Sequence, residues 1–522
     1  MQEVLESRLD GKAKSTITWV VLGALCVIIY SIYLFSRCDS LVVLLLAIFS
    51  GVIALVACFG IWHLMKEDQN FIWFASIFLV LGIAFCFLFP PLAAPDEHYH
   101  FMASYWTSDY LIGQASPFDS SSFPVREEDL LIFEKGNDGV ANRDSYEWIT
   151  QSFSWGSNND ALSLVEDYSF DLGSNPFYIK LPSACGILLG RLLGLGAFPT
   201  FYLGRLFNLL FVACLITIAI RITPIGKSVF MAVALLPMVL HLSSTYSYDG
   251  GVIALAFLFL ALILRALKLQ HPLTKGELAR IAIVGVLVAP CKAVYSALAI
   301  FLLLVPSERY GSKKNKVLYC ASLILLMCVA IIVLRMPTFL SMASASSIGV
   351  ERGDSAGVYY SLSDILLHPT RSILMLLRTL FLKADFYWTT LIGSSLGYFQ
   401  SSIAAPMYLV VGYLLVLIVA AQRSKVDDLV LPASVRLSMI GLSCLAFLGI
   451  ILSMWLGWTF TTETIIEGVQ GRYLLPLLPT ILLASRSRAV YIDREADRIA
   501  LSSLSLLNYI YLYYILMNAL IS

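Results

Sequence analysis

Apolar runs of about 20 residues recur along this chain, and few folds can accommodate them. Wound as a helix, such a run matches the ~30 Å hydrocarbon core of a bilayer. The candidate spans are Thr16–Phe35, Leu41–Met65, Phe71–Pro90, Phe201–Ile222, Val229–Leu242, Gly251–Leu267, Val317–Met336, Ala404–Ala421, Leu437–Trp458, Tyr473–Ser485 and Ile499–Ile521. Two shorter runs, Ile281–Ala289 and Val294–Val305, flank Pro290 and Lys292 and read as a broken, partly inserted pair. Apolar residues make up 59% of the 522 and charged residues 13%, about half the charged fraction of a soluble domain. Lipid, rather than a protein core, covers surface of this kind. The expected fold is an all-α integral membrane protein with about 12–14 transmembrane helices.

The run from Ile17 to Phe35 is too long for the apolar core of a signal peptide and reads as a retained first helix. Residues 1–70 are then an N-terminal membrane helix pair, ahead of a membrane domain over 71–522. The ten cysteines form no CxxC, none lies in the polar loop described next, and no His/Cys cluster accompanies them. Neither a disulfide framework nor a zinc site is indicated. No Walker loop, dinucleotide fingerprint or nucleic-acid motif appears.

Between Leu92 and Ser174 the chain turns polar, with 15 acidic and 3 basic residues. That imbalance marks a solvated region. It is too short for a large core of its own, so it should rest on the membrane helices. A second non-spanning region, 337–402, carries an amphipathic helix near Arg371–Lys383, and Phe177–Leu195 reads as lying along the surface. Lys/Arg-rich Arg265–Arg280, Arg309–Lys316, Gln422–Arg436 and Arg486–Arg498 belong in the cytoplasm. Alternation then places the N-terminus inside, and the loops 92–174 and 337–402 and the C-terminus outside.

Three constellations could carry chemistry. Pro90 and Pro91 stop the third helix, and Asp96, Glu97, His98 and His100 follow at once. A low-dielectric neighbour and a second carboxylate both raise carboxylate pKa values, which is how a general base is tuned; the pair also reads as two more acids of an acidic loop. Arg472, followed by Tyr473, opens an apolar segment on the outer side. It either snorkels to the interface or binds an anion such as phosphate. Lys292 interrupts an apolar stretch, where a charge needs a protein partner or a wet cavity. Asp249 reads as a ligand contact or a helix N-cap, and Arg205 and Lys180 are lesser candidates. His98 and His100 are two apart with no third ligand, so a protein-built metal site is not indicated, although a divalent metal shared with a substrate phosphate fits.

Taken in order, Pro-Asp-Glu-x-x-His-Phe (95–101), Asn-Pro-Phe-Tyr (175–178), Ser-Tyr-Asp-Gly (247–250), Cys-Lys-Ala-Val-Tyr (291–295), Gly-Ser-Ser-Leu-Gly-Tyr (393–398) and Gly-Arg-Tyr-Leu-Leu-Pro (471–476) resemble the bacterial membrane family called domain of unknown function 2142. That family resembles a branch of the GT-C glycosyltransferases. The resemblance implies a GT-C-like fold with a carboxylate pair, here Asp96 and Glu97, opening the first large external loop. It implies transfer of a sugar from a polyprenyl-phosphate carrier to an extracytoplasmic glycan or glycolipid acceptor. Asp96 is then the expected base with Glu97 orienting it, or the reverse, and Arg472, Lys292, His100, Asp249 and Tyr473 are expected at the donor phosphate and substrate. The alternatives are a transporter or flippase of lipid-linked glycans, and a polysaccharide polymerase or ligase.

Overall fold

The computed structural model describes residues 70–116, 122–135, 139–166, 175–348, 350–352, 355–425, 427–492 and 494–521. The expected helix pair in 1–70 lies outside the described residues. Among the described residues the fold is all-α apart from three two-stranded ladders. Six described helices are long and apolar enough to cross a membrane: Phe71–Leu88, Ala197–Ile222, Asp249–Lys268, Lys313–Met336, Ala433–Gly457 and Ser502–Leu520.

Burial sorts them. The Asp249–Lys268 window is 89% buried and forms the centre of the bundle, whereas the still more apolar Lys313–Met336 window is 17% buried among the described residues. A helix that is apolar all round but bare of protein needs lipid as its solvent. The main core gathers around the central helix from Asn70–Leu88, Ala197–Ile222, Lys227–Ala234 and Pro237–Ser243.

Several expected spans are interrupted, each for a local reason. Val229–Leu242 is two short helices, because Pro237 opens the second and cannot continue the first. The expected break at Pro290–Lys292 is present, between the helix Lys275–Val288 and the 3-10 helix Ala293–Leu304. Tyr473–Ser485 is not one helix: a 3-10 turn, Gly471–Leu474, precedes the eight-residue helix Leu478–Ser485, and Pro476 and Pro479 each remove a backbone donor. In the opposite sense, the helix expected to stop at Met336 continues through Pro337 to Ile348; one missing donor does not end a long membrane helix. Leu181–Leu192 is only 12 residues, about 18 Å at 1.5 Å per residue, well short of the bilayer core.

The polar loop folds onto the bundle as expected. It contributes the helices Glu97–Leu111, Glu127–Phe133 and Arg143–Ser152 and the antiparallel pair Ser122–Arg126 with Leu162–Glu166. Its core is aromatic: Phe101, Tyr105, Phe123 and Phe133 close against Phe198 and Phe201 of a membrane helix and Tyr246 of the turn before Asp249. The second expected region holds the amphipathic helix Pro369–Leu382, followed by Ala384–Ile392.

Candidate functional site

The helix Asn70–Leu88 ends in carbonyls that lack intrahelical partners. Arg205 satisfies them: its Nη1 donates to Cys86 O (2.9 Å) and Phe89 O (2.6 Å), and its Nη2 to Pro90 O (2.9 Å). The same guanidinium grips Glu97 through Nε–Oε1 (2.8 Å) and Nη2–Oε2 (2.6 Å). All five guanidinium N–H groups are thereby used. Glu97 is fully buried and also accepts from the backbone N–H of Tyr246 and Ala94. This carboxylate is saturated, so it is placed as a structural clasp rather than as an open base.

Its neighbour faces the other way. Asp96 sits in the left-handed region (φ 58°), a conformation that Asp tolerates better than most residues. Its side chain is 58% exposed and accepts from Arg472 Nη2 at 3.4 Å. Arg472 Nε lies 3.5 Å from Asp249 Oδ2, and Asp249 Oδ1 accepts from Lys292 Nζ at 2.6 Å. Charges therefore alternate along Asp96, Arg472, Asp249 and Lys292. The Lys292 ammonium also lies 4.0 Å from the Tyr473 ring centroid and 5.4 Å from that of Tyr248. His100 packs edge-on against Tyr248 at 4.9 Å. Burial pushes the His100 imidazole down to about 4, against the pull of Asp96 and Asp249, so near neutrality it offers one donor and one acceptor and no charge. Six residues from four segments of the sequence, Asp96, His100, Asp249, Lys292, Arg472 and Tyr473, thus meet in one place.

Each is held by a motif that brackets it. The Asn208 amide donates to the carbonyls of Ser243, Thr245 and Ser247 and fixes the turn that delivers Asp249. Asp249 enters the first turn of its helix with no capping bond from the N-cap residue Tyr248, so its carboxylate serves the ion pairs. Arg335 donates to Pro290 O (2.8 Å), Cys291 O (2.7 Å) and Asn175 Oδ1 (2.9 Å), bracing the break that presents Lys292. Tyr178 donates to Leu287 O at 2.6 Å on the same break. Gly471 presses on the helix Ala384–Ile392: a Cβ there would collide with Tyr387 O, and its N–H donates to the Thr390 hydroxyl at 2.7 Å. Only glycine permits that approach, and it sets the position of Arg472.

Arg335 was missed by sequence reasoning, which took it as the end of an apolar span; its signal was a charge within one turn of a proline. Lys180 is buried, with its ammonium 5.9 Å from the Trp106 ring centroid. Among the described residues no three His, Cys, Asp or Glu side chains gather as a metal site.

Arg472 is the unusual member. It is 5% exposed, yet among the described residues it makes one long hydrogen bond, and its buried Nε has only the Asp249 carboxylate, 3.5 Å away, and no hydrogen-bond partner. A buried guanidinium with unused donors is costly unless something anionic completes it.

The profile of a family described as "Predicted membrane protein (DUF2142)" matches residues 78–481. That interval contains every residue of the cluster. No curated protein and no solved structure matches the chain.

Proposed function

The chain belongs to the DUF2142 family of membrane proteins, and we propose that it is a glycosyltransferase that moves a sugar from a polyprenyl-phosphate carrier to an extracytoplasmic polysaccharide or glycolipid. The observation that carries this reading is the under-bonded Arg472, buried beside a partly exposed carboxylate. A planar guanidinium with free donors suits a phosphate, and an open carboxylate 3.4 Å away suits a hydroxyl that must lose a proton.

In this scheme the carrier chain lies among the helices, with its phosphate at the outer face, where the Lys/Arg bias places the loops 92–174 and 337–402. The acceptor hydroxyl attacks the anomeric carbon, and Asp96 takes its proton. The bond from that carbon to the phosphate oxygen breaks, and the lipid phosphate leaves with the electron pair. Arg472 and Lys292 stabilise the growing charge, an interaction stronger in the transition state than in the ground state. Asp249 holds both cations in place, and neutral His100 supplies hydrogen bonds. Glu97 keeps the Arg205 clasp rather than sharing the base. A single displacement inverts the anomeric centre.

The test is transfer from a synthetic polyprenyl-phosphate monosaccharide to a glycan acceptor by purified protein. Turnover that disappears in Asp96→Asn supports the reading. Movement of the intact lipid-linked sugar across vesicles without cleavage would make the chain a flippase and end it.

A further inference from the structure

A second cleft, of about 170 Å³, lies between the amphipathic helix Pro369–Leu382 and the helix Ala433–Gly457. Its buried lining is Tyr360, Met375 and Trp455, and its exposed rim is Asp364, His368 and Arg371. Trp455 is 5% exposed and its Nε1–H has no partner. Arg371 spends only Nη2, on the Tyr360 hydroxyl (2.9 Å) and Thr461 O (3.3 Å). Asp364 spends only Oδ2, on the N–H and hydroxyl of Ser361. Among the described residues, Arg371 and Trp455 thus keep donors, and Asp364 an acceptor, without a protein partner, and all three residues line the same small space.

We propose that this cleft binds a neutral sugar ring, as a subsite remote from the point of transfer. Vicinal hydroxyls both donate and accept, so they need donors and acceptors side by side, with an aromatic surface for the ring's C–H faces. A phosphate or carboxylate ligand fits less well, because Asp364 would repel it. Chain connectivity supports the placement. Thr461 lines the cleft and lies on the segment that leads from Trp458 to Arg472. Helix Pro369–Leu382 runs on into Ala384–Ile392, which seats Gly471, and Thr379 accepts from Ile466 N–H at 2.8 Å on the same segment. The sugar is a unit of the acceptor glycan, an identity that rests on the glycosyltransferase reading; the binding itself does not.

The experiment titrates the purified full-length protein with glucose, galactose, rhamnose, N-acetylglucosamine and maltose, followed by saturation-transfer NMR. At least one should bind saturably. Arg371→Ala should weaken it by about tenfold or more, and Trp455→Phe, which keeps an aromatic ring and loses the donor, by about three- to tenfold. Thermal melting confirms that each variant is folded. Asp96→Asn should bind as wild type does. Absence of saturable binding by every sugar, displacement by inorganic phosphate, or loss in Asp96→Asn with full binding in Arg371→Ala would each overturn the proposal. Binding with these dependences but no transfer from a lipid-phosphate sugar keeps the cleft and removes the enzyme reading. Transfer without sugar binding at the cleft removes the cleft alone.

Discussion

Arg205 and Arg472 are both buried arginines that pair with neighbouring carboxylates, Glu97 and Asp96, on one turn of chain. They differ in satisfaction. Arg205 makes five hydrogen bonds of 2.6–2.9 Å to partners that are all protein. Arg472 makes one at 3.4 Å and is left with spare donors. Burial and charge alone do not separate a structural ion pair from a ligand site; the number of donors still unspent does. A saturated pair has nothing left to give a substrate, and an unsaturated one is stable only with a further partner.

The contrast predicts opposite losses. Arg205→Ala leaves Glu97 charged and buried, and removes the guanidinium donors from the carbonyls of Cys86, Phe89 and Pro90. Breaking such a pair costs about 3–5 kcal/mol, so folded protein should be absent on size-exclusion chromatography. Good yield of this variant would break the comparison. Next in size, Asp96→Asn should fold normally and lose about 10²–10⁴-fold in single-turnover transfer, the usual contribution of a positioned base, whereas Glu97→Gln should act mainly on yield. Equal turnover per folded molecule in wild type and Asp96→Asn would leave the two carboxylates without distinct roles.

A smaller, pH-dependent effect comes from His100. Its folded value of about 4 lies below the ordinary 6.5, so the unfolded chain binds the extra proton between those values. The contribution of His100 is fully present above pH 6.5 and is lost as pH falls through 4, of order 3 kcal/mol in all. Melting temperatures from pH 7.5 to 4.5 should fall more in wild type than in His100→Phe. Parallel curves would show that His100 is not held neutral.

Much of this was legible in the sequence because the motifs carry their own breaks. Pro290 announced the interruption before Lys292, Pro90 and Pro91 announced the helix end before Asp96, and Gly471 preceded Arg472. The described structure brings these residues together with Asp249, His100 and Tyr473 as a cluster. What was not legible is pairing at long range. The grip of Arg205 on a residue 108 positions away, and of Arg335 on Asn175 and the Pro290 break, leave no periodic trace. Hence Glu97 read as a catalytic partner orienting Asp96 or the acceptor, or as the base itself. Asp249 as a possible N-cap is corrected for a similar reason, since its partners Lys292 and Arg472 come from distant segments. Helix ends were misplaced where proline acted against expectation, Pro237 breaking a run whose first helix ends at Ala234, and Pro337 passing unbroken.

The central claim is that the unspent donors of Arg472 await a lipid phosphate, and binding of a short-chain polyprenyl phosphate to purified protein tests it without reference to turnover. Wild type should bind saturably and melt at higher temperature with the lipid. Arg472→Lys, which keeps the charge and loses the planar fork, should bind about tenfold more weakly, and Arg472→Ala should bind weakest while remaining folded. Unchanged affinity in folded Arg472→Ala would contradict the account, since the unspent donors of the guanidinium would then play no part in holding the phosphate.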